Sequence, residues 1–252
     1  MKLSIKILFA FVVLYNGNLL AQQNISSTLQ QVKSRIDQAY FTQQPEILDS
    51  VISELQKLDD SGELQKYVHY YSALAYFRLY PLPLTDDSHL YSKNLDMAQT
   101  ELERAVELDP DFADAYALLC GVYGMKASGM FSGIKYGKKA NQALAKAQKL
   151  DPQNPRMYLI DGMGNYYKPK LFGGGIVNAQ EAILTSLNLF ESHSSENEIA
   201  PDWGKAEAHA WLANIFFSLN NNEKSHEHIL KALTIAPNFV WVNEELLPQI
   251  GR

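Results

Sequence analysis

Apolar positions along the chain fall on one recurring ladder. Ala98, Leu102, Ala105 and Leu108 stand at offsets 0, 4, 7 and 10, and Ala140, Leu144, Ala147 and Leu150 repeat them. The same offsets select Ala179, Ile183, Ser186 and Leu189, then Ser225, Ile229, Ala232 and Ile235, and near the start Leu48, Ile52, Leu55 and Leu58. Steps of four and three keep side chains on one stripe of a 3.6-residue helix, so each ladder predicts a helix with a single core-facing side. Small residues on the first and third rungs allow a neighbouring helix to come close, and the larger rungs fill the space between.

A second apolar helix is predicted before each ladder. Between Ala206 and Pro237 the unit is complete: His209, Leu212, Ala213 and Phe216, then the ladder, then a proline that cannot continue the helix. Three ladders end this way, at Pro110, Pro152 and Pro237, spaced 42 and 85 residues apart, the second interval being close to two periods. A period on this scale predicts an array of like units in place of one single-core globule.

These residues resemble the tetratricopeptide repeat, a helix-turn-helix unit of about 34 residues. Its first helix carries a bulky residue, a Leu, a small residue and an aromatic. Tyr116, Leu119, Cys120 and Tyr123 match that set, Tyr71, Leu74 and Ala75 match part of it, and Tyr158 and Gly162 fit although Asp161 replaces the expected Leu. The resemblance spans roughly residues 45–250. It implies an all-α, right-handed superhelical solenoid of about five antiparallel helix hairpins. Residues 22–44, with Val32, Ile36 and Tyr40 at helical spacing, are expected to form an N-terminal cap helix, and 45–252 the repeat domain. No Ser/Gly or Pro-rich linker divides them, and the polar stretch Glu191–Pro201 reads as a surface loop between repeats.

The resemblance also implies a concave groove lined by first helices, and with it a protein or peptide partner. On this chain the groove residues would be His69, Tyr76, Ala117, Arg156, Leu159, Met163, Tyr166, Trp211 and Asn214. Some family members hold a peptide carboxylate with groove lysines. Ala117, Leu159 and Ala210 stand where such a lysine is expected, so that role is not carried over.

Where the period breaks, new surface is expected. The small first-helix residue precedes the first rung by 12 positions from Ala213 to Ser225, but by 23 from Ala75 to Ala98, 20 from Cys120 to Ala140 and 17 from Gly162 to Ala179. Three consecutive hairpins thus carry inserted loops that should emerge along one edge. Their content is apolar: Leu79–Leu84, then Met130, Phe131 and Tyr136 among glycines, then Tyr166, Phe172 and the run Gly173–Gly175. Two readings stay open here. The loops form an apolar wall for a partner or ligand, or they fold back and seal the stack. The Pro169–Gly174 turn ahead of an Ala ladder is similar to a loop of exported bacterial repeat proteins.

Address and charge narrow the class. A basic start with Lys2 and Lys6, the apolar run Ile7–Tyr15 and Ala21 read as a signal peptide over residues 1–21, too short for a membrane span. The expected product is exported, periplasmic or secreted, with no membrane span after the leader is removed. Its net charge moves from −6 to −8 as two of the 22 basic residues leave and the 28 acids remain. An acidic chain without a Lys/Arg cluster is a poor candidate for nucleic acid or anionic lipid, so neither is an expected partner. Cys120, the single cysteine, sits at a small-residue position and reads as a buried hydrophobe.

Catalytic and cofactor signatures are missing from the sequence. His226-Glu227-His228 has i, i+2 spacing, which turns the imidazoles apart, whereas zinc hydrolases use i, i+4. Gly173–Gly175 lacks the Lys-Ser/Thr of a phosphate loop. Asp109 and Asp151, each before a repeat proline, are expected to turn the chain. No catalytic, metal or cofactor residue is therefore assigned. The expectation is a non-enzymatic interaction scaffold of the bacterial envelope that binds through Tyr76, Phe131, Arg156, Met163, Tyr166, Phe172, Trp211 and Asn214, with homo-oligomerisation open. The alternative is a small-ligand-binding accessory of an envelope transport system.

Overall fold

The computed structural model describes residues 23–58, 62–79, 88–127, 130–192, 195 and 197–250. The leader and most of the first inserted loop lie outside the described residues. Among the described residues every regular element is helical. The elements are α1 (residues 23–41), α2 (Pro45–Leu55), α3 (Gln65–Leu79), α4 (Ser88–Leu108), α5 (Ala113–Lys126), α6 (Met130–Leu150), α7 (Pro155–Tyr167), α8 (Ile176–Ser192), α9 (Lys205–Ser218) and α10 (Asn222–Ile235). A π-helical turn, Trp241–Leu246, and the short α11, Leu247–Ile250, close the chain. Consecutive helices pair as hairpins, α3 with α4, α5 with α6, α7 with α8 and α9 with α10. Arg35 on α1 reaches Ser50 and Glu54 on α2, so these two form a fifth hairpin.

The ladder sets the hairpin packing. Its first three rungs are buried in four units, among them Ala98, Leu102 and Ala105, or Ser225, Ile229 and Ala232. The fourth rung is less covered. Leu108 and Ile235 are exposed because they are the last residues of their helices, beyond the reach of the partner helix. Ser225, on a first rung, is satisfied by donating to the Ala213 carbonyl at 2.8 Å. The need for a small first-helix residue is sharpest at Gly162, where an added Cβ would lie 2.3 Å from Ile183 Cγ1 of the facing ladder. Asp109 and Asp151 turn the chain as expected, each accepting the backbone N–H two residues on at 3.0 Å. Asn154 then caps α7 by accepting from the Arg156 and Met157 N–H groups, with Pro155 at the first turn.

The inserted segments do not all form loops. The expectation of a loop at Gly129–Tyr136 fails, because α6 already begins at Met130, ten residues before its first rung. Helix α4 likewise starts at Ser88, ten residues before Ala98. Most of these two insertions therefore lengthens the second helix at its N-terminus. Gly133 and Gly137 each disfavour helix by about 1 kcal/mol, yet most of the segment's other residues are compatible with helix and extend one already nucleated. Among the described residues, the third insertion, between α7 and α8, remains a turn.

The largest departure from expectation lies inside the array. Residues 197–204, whose first half overlaps the stretch Glu191–Pro201 read as a surface loop, run inward against the first helices. Ile199, Ala200 and Trp203 are buried. The Tyr71 hydroxyl donates to the Ile199 carbonyl at 2.7 Å, and the Trp203 indole N–H donates to the Tyr70 oxygen at 2.8 Å. Lys33 on α1 donates to the carbonyls of Glu198 and Ala200 and pairs with Asp202 at 3.0 Å. Gly204 closes the segment against Phe190 and Leu159.

Around this segment the first and last units meet. Arg78 on α3 is buried, pairs with Glu207 on α9, and lies 3.7 Å from Asp37 on α1. Its guanidinium stacks over the Tyr40 ring at 3.8 Å and near Trp203 at 5.1 Å. Tyr40 and Phe41 at the end of α1 reach Phe239 at 5.9 and 4.7 Å between ring centres. Helices α3 and α9 are accordingly covered on nearly all sides, with 12 of 15 and 10 of 14 residues buried. They lack the polar outer face of a surface helix because they have no outer face.

Candidate functional site

The groove residues expected from the sequence are mostly inside the protein. Arg156, expected as a fixed cation of an open groove, is only 2% exposed. Its guanidinium grips Asp114 of α5 through Nε at 2.5 Å and Nη2 at 3.3 Å, and so links adjacent hairpins. Such a pair offers no charge to a partner. Ala117 and Leu159 are buried as well. Tyr76 and Met163 are half-buried, the Tyr76 hydroxyl lying 3.4 Å from the Gln56 side-chain nitrogen. His69 meets the Glu101 carboxylate at 2.6 Å. Burial removes Ala117, Arg156 and Leu159 from any open groove, and residues 197–204 pack against the neighbouring first-helix residues Tyr70, Tyr71 and Leu159.

One expected group does assemble. Tyr166 and Trp211 lie 5.5 Å apart edge to face, Tyr167 joins both at 5.2 and 5.9 Å, and Trp241 meets Trp211 at 5.3 Å. The Tyr166 hydroxyl reaches Ser218 Oγ at 3.3 Å, and Ser218 donates to the backbone carbonyl of Asn214, itself half-buried. Trp211 is 7% exposed, so it supports this platform from below. The outer member is Tyr167, 75% exposed, which sequence reasoning did not single out. The groove spacing falls on its neighbour Tyr166 and passes Tyr167 by.

The inserted segments present the opposite picture. Phe131 near the start of α6 is 86% exposed, and Phe172 in the α7–α8 turn is 70% exposed. Leu171 is 88% exposed, and Ile134 and Val177 are also exposed. The sealing interpretation of these residues, with Leu171 and Phe172 plugging a gap, is overturned by their exposure. Phe131 at the start of α6 and Phe172 just ahead of α8 stand at equivalent junctions of hairpins packed side by side through α5 and α7, which puts them along one edge. Among the described residues no ring contact joins the two.

The α7–α8 turn is built to hold its apolar tip outward. Lys170–Phe172 form one 3-10 turn, with the Phe172 N–H donating to the Pro169 carbonyl at 2.9 Å. Gly174 N–H donates to the same carbonyl at 3.2 Å, and Gly175 N–H to the Asn165 carbonyl at 2.7 Å. The Asn178 side chain donates to the Gly173 carbonyl at 3.0 Å. A Cβ at Gly174 would fall 1.9 Å from the Lys168 carbonyl oxygen, so no other residue fits there without moving the backbone. The turn is ordered by its own hydrogen bonds.

Groups with chemical potential elsewhere are held inert. Burial pushes the Cys120 thiol up to about 12, so it is no nucleophile at neutral pH. His226 is exposed and His228 buried, on different sides of α10 as their spacing requires. His228 instead meets His209 of α9, Nδ1 to Nδ1, at 3.0 Å, and burial with the nearby His228 brings His209 down to about 4. Among the described residues no group of three or more His, Cys, Asp or Glu side chains is placed to hold a metal, and no helix is long and apolar enough to cross a membrane.

Comparison with known proteins agrees with this architecture. The sequence model of the family described as Tetratricopeptide repeat matches residues 87–112 and 206–239, the segments around α4 and across α9–α10. No curated protein matches the chain in sequence. In structure the chain is similar to the HusA haemophore from Porphyromonas gingivalis, with a TM-score of 0.63 and 18% identity over 77% of this chain and 93% of that one. It is also similar to a thermophilic TPR protein of Thermus thermophilus, with a TM-score of 0.61 and 16% identity over 89% of this chain and all of that one. At these identities the likeness speaks for the fold alone. Five laddered hairpins, two stretches matched by the tetratricopeptide-repeat model and the likeness to a solved repeat protein give the chain the helical-hairpin fold of a tetratricopeptide-repeat array.

Proposed function

We propose that this chain is a non-enzymatic docking scaffold of the bacterial cell envelope, and that its protein partner binds at the turn edge. Tetratricopeptide repeats commonly serve as protein-interaction scaffolds and are typically without enzymatic activity. The apolar leader at Ile7–Tyr15 supports export. One observation carries the docking edge: Leu171 and Phe172 stand in solvent on a turn whose backbone is fixed by internal hydrogen bonds. The contact set is Phe131, Tyr167, Leu171 and Phe172, with Tyr166 and Trp211 as supports. Tyr76, Met163 and Asn214 are given no contact role, and Arg156 acts as a brace between hairpins.

The test is photo-crosslinking in envelope extract with a benzoyl-phenylalanine placed at position 172 or, as control, at position 76. A discrete protein adduct at 172 and none at 76 is expected. Adducts at 76 alone would return the binding site to the inner face and overturn the reading. The second reading, a small-ligand accessory of a transport system, draws on the aromatic platform of Tyr166, Tyr167, Trp211 and Trp241. A small molecule retained in native mass spectrometry, with no protein adduct at 172, would favour it.

A further inference from the structure

Charge is divided unevenly along the chain. Residues 121–180 hold nine basic side chains and two carboxylates, a net +7 within a protein of formal net charge −6, which leaves −13 on the rest. No contiguous run announces this, since the lysines are spread over two hairpins. Several of them are neutralised within the fold. Lys126 pairs with Asp96 at 2.5 Å, Lys139 with Glu103 at 3.7 Å and Lys146 with Asp111 at 4.0 Å.

Lys135, Lys138, Lys168 and Lys170 form no salt bridge among the described residues. These four also stand beside the exposed apolar tips. Lys135 and Lys138 follow Ile134 on α6, and Lys168 and Lys170 flank Pro169 directly ahead of Leu171 and Phe172. Lys135 lies over the Tyr136 ring at 5.1 Å and Lys168 faces the Asp161 carboxylate, but covering the tips with a neutral surface would still desolvate these ammonium groups with little compensation, which is costly. A partner that supplies carboxylates removes that cost, speeds encounter and excludes basic competitors.

We propose that the partner presents an acidic surface around an apolar recess, with carboxylates facing these four lysines and the recess taking Leu171 and Phe172. The proposal rests on the turn-edge reading above. The occupant is a protein, because the hydrogen-bonded α7–α8 turn fixes its two apolar side chains in one geometry, which a shaped receptor rewards and a fluid lipid layer does not. The strongly acidic remainder of the chain disfavours close approach to an anionic bilayer.

The experiment uses the purified full-length protein and three defined probes: a synthetic amphipathic helix with a Leu/Phe face and a Glu face, its counterpart with Lys in place of Glu, and vesicles of phosphatidylcholine containing one-third phosphatidylglycerol. The Glu-faced helix should bind about tenfold or more tighter than the Lys-faced one, and the gap should shrink as salt rises and the Debye length contracts. Joint substitution Lys135→Gln, Lys138→Gln, Lys168→Gln and Lys170→Gln should abolish that preference. Should the fourfold variant fold poorly, the salt titration of the unaltered protein decides the same question. Equal binding of the two helices overturns the proposal, as does binding to the vesicles without binding to the Glu-faced helix. If the Glu-faced helix binds and Leu171→Ala with Phe172→Ala leaves that binding unchanged, the turn-edge reading itself fails, an outcome distinct from loss of the charge preference.

Discussion

The inner wall and the turn edge of this solenoid use similar residues to opposite ends. Inside, Tyr70, Tyr71 and Trp203 are buried and each polar atom among them is hydrogen-bonded. At the edge, Phe131, Leu171 and Phe172 are exposed on a frame that is itself well bonded. The difference lies in what each surface already has for a partner. The inner wall is covered by the chain's own segment 197–204, whereas at the edge Leu171 and Phe172 are left exposed by the described residues. Aromatic content alone therefore does not mark a binding face in a repeat protein. What matters is whether the array has closed upon itself.

The comparison breaks most severely at the closure. Removing the Glu207 carboxylate leaves Arg78 buried beside Asp37 without its main counter-charge. Glu207→Ala should cost about 3–5 kcal/mol in urea unfolding, the range for breaking one side of a buried ion pair. Less damaging, but within one hairpin, Gly162→Ala drives a methyl against Ile183 and should cost about 1–3 kcal/mol, the range for overpacking. A cost near zero there would mean that α7 and α8 are less tightly joined than their spacing indicates.

Next comes the histidine pair. Because His209 is held near 4 in the folded chain against 6.5 when unfolded, the unfolded state binds the extra proton first as pH falls. Stability should therefore be complete above about 6.5 and decline as pH drops toward about 4. Carboxylates titrate in the lower part of this range, so the check is the difference between the protein and its His209→Phe variant. The variant should lose less melting temperature between the two pH values. The smallest effect on stability belongs to the edge. Leu171→Ala with Phe172→Ala should shift unfolding free energy by no more than about 0.5 kcal/mol, as surface changes do, while abolishing retention of the partner in a pull-down from envelope extract. A larger fall would return these side chains to the core.

How far the sequence foretold this molecule depends on what each feature requires. The ladder was legible because its burial follows from periodicity within one helix, and Ala98, Ile183 and Ile229 are buried as their rungs demand. The turns at Asp109 and Asp151 were legible for the same local reason. The exposure of Phe131 and Phe172 could be posed as a question and not answered, because it depends on where neighbouring hairpins stop. The inward path of Ile199–Trp203 was not legible. Most of the stretch Glu191–Pro201 is polar, and its burial comes from hydrogen bonds to Tyr70, Tyr71 and Lys33, residues more than 120 positions away. Arg156 was misread likewise, since its partner Asp114 lies 42 positions off, on the preceding hairpin. The basic region escaped notice because its lysines are scattered in sequence and gathered only by stacking.

Hydroxyl-radical footprinting of the purified unaltered protein, alone and with the partner that crosslinking identifies, tests the closed wall and open edge together. Leu171, Phe172 and Phe131 should oxidise readily in the free protein and become protected in the complex, while Tyr70, Tyr71 and Trp203 stay unreactive in both. Ready oxidation of Trp203 in the free protein, or protection by the partner confined to the inner wall, would contradict the account.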